Sequence, residues 1–205
     1  MTYSIIGIDK ENNVLGIAVA SGSIAVGSRV PWARYLVGGV ATQAYTNPAL
    51  GPLILDYLQK GLSPNEALEK ALSNDPRKEL RQVAVLDWNG RSAFYCGQDI
   101  PDEYAGYSLD NCVCIANLVV SKDIPKAMCE TFKVSINMGL AEALLEALRE
   151  AHDMGGDRRG DLSAAIIIVG KTEYLPYYDK ILDLRIDYSK DPVKELIRLY
   201  RLIRV

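Results

Sequence analysis

Histidine is nearly missing from this sequence: His152 is the only one in 205 residues. Triads of the Ser-His-Asp or Cys-His kind need an imidazole base, so that scarcity argues against them. It argues equally against zinc sites that mix Cys with His. His152 sits near the end of a helical stretch, where a solvated or C-capping cation is common. Cysteine is sparse too, with Cys96, Cys112, Cys114 and Cys129 and no C-x-x-C pair among them. Cys112 and Cys114 fall on one face of a strand. A chain of this length does not depend on disulfides, so the thiols are expected to serve as small buried apolar groups. Charge of neither sign dominates: 23 Lys and Arg stand against 26 Asp and Glu. The cations form no cluster that marks a nucleic-acid footprint. Membrane-length apolar runs are lacking. No basic segment followed by a long apolar one opens the chain. The expectation is therefore a cytoplasmic protein with no membrane or nucleic-acid partner.

What is present is the composition of a folded globular protein, 49% hydrophobic and 24% charged. One domain over 1–205 is the economical reading. Ile5 to Asp9 and Val14 to Ala20 are apolar runs around the turn residues Glu11-Asn12-Asn13, which is a hairpin. Ile24 to Trp32 reads as irregular strand or loop, and Tyr35 to Thr42 as a strand. Ala49 to Lys60 reads as a helix with Gly61 past its end. Ser63-Pro64-Asn65-Glu66 is a capping box opening a helix that runs to about Ser73. Val83 to Asp87 and Arg91 to Cys96 flank Asn89-Gly90, a strong hairpin signal. Asp99 to Asn111 is polar and reads as irregular. Cys112 to Val120 is a strand; Asp123 to Phe132 and Leu140 to Met154 are helices. Leu162 to Val169 is a strand apolar on both faces. Ile181 to Asp187 is a last strand, and a final amphipathic helix follows Asp191-Pro192.

Strands, two helices, strands, two helices, strands and one helix do not suit a doubly wound parallel sheet. Two antiparallel sheets face to face, each covered by helices, would bury every apolar face. The predicted fold class is α+β, a four-layer αββα sandwich with the first strand in its core.

That first strand, Thr2-Tyr3-Ser4-Ile5-Ile6-Gly7, begins almost at the chain start. Thr2 is small enough for the initiator Met1 to be removed. It would then carry a hydroxyl and a free α-amine on one residue. Such an amine titrates near ~7.7–8, so much of it is neutral at cellular pH and able to take the hydroxyl proton. The plainer reading is the second residue of an ordinary strand.

Several runs resemble a known family: Thr2-Tyr3-Ser4-Ile5, Leu15 to Ser21, Val30-Pro31-Trp32-Ala33-Arg34 and Ala41-Thr42-Gln43-Ala44-Tyr45. So do Gly51-Pro52, Arg81-Gln82-Val83, Gly155 to Gly160 and Ser163-Ala164-Ala165. The sequence is similar to the domain of unknown function family 1028, placed within the N-terminal-nucleophile (Ntn) hydrolase-like superfamily. The resemblance implies the αββα fold and a catalytic group of Thr2, Arg29, Asp157 and Ser163. Arg29 is the basic partner by position, and Asp157 with Arg158 and Arg159 is an anchoring pair for an amine or a carboxylate. Ser21, Trp32, Gln43, Tyr45, Asn47, Asn117 and Arg158 are the expected substrate contacts, with backbone amides of Gln43 to Asn47 as an oxyanion hole. Each has a plainer role beside it: a surface ion pair for Arg29, a loop salt bridge for Asp157, core packing for Trp32 and Tyr45, a satisfied buried amide for Asn117. Where family members carry Val-Gln-Gly-Asn, this chain has Cys114-Ile115-Ala116-Asn117, so only the Asn carries over. Leu162 likewise stands where members tend to carry Gln.

The leading expectation is an Ntn-type hydrolase of a small amide or peptide-like bond, with Thr2 as nucleophile and no metal or organic cofactor. One alternative is a non-catalytic binding protein on the same scaffold, with Arg29, Arg158 and Arg159 holding an anionic ligand. Another is a structural subunit. A homo-oligomer is expected in any of these cases.

Overall fold

The computed structural model describes residues 2–101 and 103–203. It is a mixed α+β structure with two antiparallel sheets and five α-helices. Ten strands run in chain order: β1 (Thr2–Asp9), β2 (Val14–Ser21), β3 (Pro31–Arg34), β4 (Gly38–Ala44), β5 (Arg81–Asp87), β6 (Ser92–Cys96), β7 (Tyr104–Leu109), β8 (Cys112–Asn117), β9 (Ser163–Val169) and β10 (Lys180–Ile186). The helices are α1 (Leu50–Gln59), α2 (Pro64–Leu72), α3 (Ile124–Ser135), α4 (Leu140–Asp153) and α5 (Pro192–Ile203). The larger sheet has the order β10-β9-β2-β1-β8-β7 and the smaller β3-β4-β5-β6.

Period-2 alternation explains why β1 is buried along its whole length. Tyr3 and Ile5 point into an apolar cluster with α3, α4 and α5. Gly7 lies under Phe132 of α3, so close that a Cβ would sit 2.5 Å from the ring. Ile6 and Ile8 point the other way, into a cluster with Ile17, Ala41, Ala84, Leu86, Val113, Ile115 and Ile167. That cluster lies between the two sheets, with β1 against β4 and β8 against β5. The other face of the smaller sheet packs Val40, Val83 and Val85 against Ile54, Leu55, Leu68 and Leu72 of α1 and α2. Each large aliphatic side chain buried this way contributes about 1.5–3 kcal/mol, which fixes which face of each strand is inward.

Two segments differ from the sequence reading. Tyr35 to Val37 is a turn rather than strand, because Leu36 takes a left-handed φ of 61° between β3 and β4. Within the polar stretch 99–111, β7 pairs with β8 at the sheet edge. Its residues are mostly half-exposed, so no alternation of apolar and polar side chains announces it. Cys112, Cys114 and Cys129 are buried and free, and their thiols are pushed above the usual range, those of Cys112 and Cys129 by hydrogen bonding among the thiols together with burial and that of Cys114 by burial. Among the described residues no helix is long and apolar enough to cross a membrane.

Candidate functional site

Four strands of the larger sheet place polar residues on one rung. Thr2 lies opposite Asn117 of β8, and Ser21 of β2 lies opposite Ser163 of β9. The hydroxyl oxygens of Thr2 and Ser21 are 3.1 Å apart, which closes the row. Asn117, Thr2, Ser21 and Ser163 thus stand side by side at the end of a sheet face that is apolar further along apart from Ser4. All are buried, Thr2 at 6% exposure and the rest at 1% or less. Buried polar groups destabilise a fold unless they are hydrogen-bonded, so their partners matter.

The partners come from the smaller sheet and from the loop after β2. Gln43 of β4 donates Nε2 to the Thr2 carbonyl at 3.0 Å and accepts the Ser4 hydroxyl at 2.5 Å. The same Nε2 reaches Gln82 Oε1 at 2.8 Å. Gln82 of β5 donates to the carbonyls of Ala116 (2.9 Å) and Ala105 (3.1 Å). Those two carbonyls orient the Gln82 amide, leaving its Oε1 to accept Asn117 Nδ2 at 2.9 Å. The orientation of Asn117 follows, since the opposite one would set two oxygens against each other. Its Oδ1 then has no hydrogen-bond partner, and it is the buried side-chain oxygen in that state among the described residues. Leaving such an acceptor unmet costs about 1–3 kcal/mol.

The other side of the rung is held by Asp157. Its carboxylate accepts the amide of Gly22 at 2.6 Å and that of Arg159 at 2.9 Å, with the Arg159 guanidinium at 3.3 Å. Asp157 therefore fixes the turn that carries Ser21, whose Oγ accepts the Ser23 amide at 3.1 Å. Ser163 donates to the Ser23 carbonyl at 2.6 Å and accepts the Val26 amide at 3.0 Å, tying β9 to the same loop. Arg29 donates to the carbonyls of Ile24 and Ala25.

The remaining expected residues lie further out. Trp32 donates its indole N–H to the Arg29 carbonyl and packs over Gly51 of α1, so it belongs to the helix-facing side of the smaller sheet. Asn47 donates to Asp75 at 2.9 Å. Asp75 and Arg81 form a buried ion pair at 2.9 Å, and chiefly the Arg81 hydrogen bond holds the Asp75 carboxyl down at about 2. The Tyr45 amide donates to the Leu80 carbonyl, so that N–H is occupied within the expected oxyanion segment. The Tyr45 ring is exposed under the guanidinium groups of Arg77 and Arg81, at 5.7 and 5.2 Å. Arg158 is exposed, with its amide on the Leu118 carbonyl. Met1, whose removal the nucleophile reading requires, lies outside the described residues.

Asn117 also walls a cleft of about 290 Å³ with Ala44, Tyr45, Leu80, Ile100, Pro101 and Leu118. Ala44 and Leu118 both hold left-handed backbone, with φ of 66° and 54°. Such strain in non-glycine residues costs on the order of 1 kcal/mol each and gathers at functional sites. A larger cleft of about 650 Å³ opens beside Ile8, Arg91, Asp110 and Lys133, at the far end of β1. It contains no buried side-chain atom lacking a partner. Among the described residues no group of three or more His, Cys, Asp or Glu side chains is arranged to hold a metal.

Gln82, Ser4 and Asp161 were not among the expected site residues. Ser4 was accessible by alternation, two residues from Thr2 on the same strand face. Gln82 directly precedes the apolar run from Val83, and the observed strand extends back to include it. Asp161 accepts the Tyr3 hydroxyl at 2.5 Å and His152 Nδ1 at 2.8 Å, a junction of distant residues with no local signal. The Asp161 contact raises the His152 pKa, and burial with Asp161 raises that of Tyr3.

No curated protein matches this chain. Among solved structures it is similar to the crystal structure of protein SPO2555 from Silicibacter pomeroyi, described with the family model DUF1028. The two share 29% sequence identity and superpose with a TM-score of 0.90, over 100% of this chain and 86% of that one. The model of the family of unknown function DUF1028 matches residues 2–196, and the chain belongs to that family.

Proposed function

We propose that this protein is an Ntn-type hydrolase of a small amide or peptide-like bond, with Thr2 as its nucleophile. One observation carries the reading: the Thr2 hydroxyl stands at the start of the central strand, in a polar rung, against Ser21 Oγ. The fold supports it. An apolar cluster joins the sheets, and helices pack on the outer face of each, as in a four-layer αββα sandwich of the Ntn type.

In this mechanism Met1 is absent and the Thr2 α-amine is neutral. Thr2 Oγ1 attacks the substrate carbonyl carbon, and its proton passes to the amine. The tetrahedral intermediate collapses, the C–N bond breaks, and the amine returns the proton to the leaving nitrogen. Water then attacks the resulting ester, delivering a proton to the α-amine; the acyl C–Oγ1 bond breaks, the acid leaves, and the amine returns that proton to Thr2 Oγ1. Ser21 Oγ orients the nucleophile, and Gln43 fixes the Thr2 carbonyl. Asp157 acts through the Ser21 turn and is a positioning residue.

A panel of small amides and dipeptides tests the proposal. Thr2→Ala should lose turnover by several orders of magnitude and unfold at an unchanged denaturant midpoint. Turnover retained in the variant would overturn it.

A further inference from the structure

We propose that the cleft beside Asn117 receives an apolar group of the substrate, and that Asn117 Oδ1 accepts a hydrogen bond from the N–H adjacent to it. The substrate class is thus an amide or peptide in which an apolar residue with a free backbone N–H precedes or bears the scissile carbonyl. This rests on the Thr2 reading and narrows it.

Three features of the site support the assignment. First, the cleft wall is almost wholly apolar: Ala44, Leu80, Ile100, Pro101 and Leu118, together with Tyr45. Second, the wall residue Asn117 carries a side-chain amide whose donor end is fixed. Asn117 Nδ2 is held by Gln82 Oε1, and Gln82 is itself oriented by two backbone carbonyls. The end left over is an acceptor, fully buried and unmet. An acceptor bordering an apolar cleft selects a ligand with a donor, because a ligand that covers it without one leaves the oxygen desolvated and unpaired. Third, Asn117 is the direct cross-strand partner of Thr2. Paired residues stand roughly 5 Å apart and share a face, so one ligand can span the nucleophile and the cleft. A volume of about 290 Å³ suits a compact side chain rather than a polymer.

The test measures binding to the full chain carrying Thr2→Ala, so that no turnover is needed. The probes are N-phenethylacetamide, its N-methyl derivative, and phenethyl acetate, which differ in little but the N–H. Calorimetry or protein-observed NMR should show the N–H amide bound roughly tenfold more tightly than either analogue. Asn117→Ala should erase that preference while retaining the apolar contribution shared by all three. Equal binding of the amide and the ester to the Asn117 protein overturns the proposal, and so does failure of all three to bind at millimolar concentration. Neither result depends on whether Thr2 is catalytic. Conversely, a clear amide preference without turnover in the unmutated protein would reject the hydrolase reading and leave the recognition site standing.

Discussion

Gly22 shows how tightly single residues are held near the rung. A Cβ built there falls 2.6 Å from the Asp157 carboxylate, which already grips the Gly22 amide. Gly22→Ala should therefore lower stability by about 1–3 kcal/mol, as overpacking does, measured as a shift in urea midpoint. Asp75 supplies a charge-based counterpart. Its folded pKa of about 2 lies below an ordinary 3.8. The Arg81 pair thus contributes fully above about pH 4 and is lost as the pH falls through about 2, an effect of about 2 kcal/mol. Urea titrations between pH 2 and 5 should show that slope, and Asp75→Asn should flatten it. His152 works in the opposite sense. Its pKa is raised by Asp161, so its contribution is full below about 6.5 and fades as the pH climbs through the folded value. His152→Gln should remove that neutral-range slope from urea titrations extended from pH 5 to 9.

Among the elements, those with a local chemical signature were the legible ones. Ser63 at the start of α2 accepts the Glu66 amide and Glu66 answers to the Ser63 amide, the reciprocal cap that the sequence announced. Ser63→Ala should lower stability by about 1 kcal/mol, read by thermal unfolding. β9 was legible because its run of Ala, Ile and Val is buried along its full length. β7 was not, because an edge strand with half-exposed side chains carries no period. Its existence depends on pairing with β8, a contact that local patterns do not encode. The bounds of β3 and β4 shifted for a similar reason, since the left-handed turn at Leu36 lies in a residue type that does not advertise it.

For the molecule as a whole, alternation along strands predicts which face is buried but not which strands lie side by side. Thr2, Ser21, Asn117 and Ser163 were each named from the sequence, yet their assembly into one rung follows from the order β8-β1-β2-β9. Gln43 and Gln82 bridge from the other sheet, a relation set by sheet packing alone. Arg29, Trp32 and Asn47 were expected beside Thr2, and their recorded hydrogen bonds go elsewhere: to loop carbonyls, to the Arg29 carbonyl and to Asp75. The nearest thing to a signal for the cleft was the polar Asn117 ending an apolar strand.

The central claim is that Thr2, freed of Met1, is an acylated nucleophile. The most direct measurement is tandem mass spectrometry of the N-terminal peptide, taken from protein purified from its native host and exposed to a small β-lactone. A peptide that begins at Thr2 and carries one acyl group on it is the predicted result. A peptide that still begins with Met1, or a free Thr2 left unacylated while other residues are labelled, would contradict it.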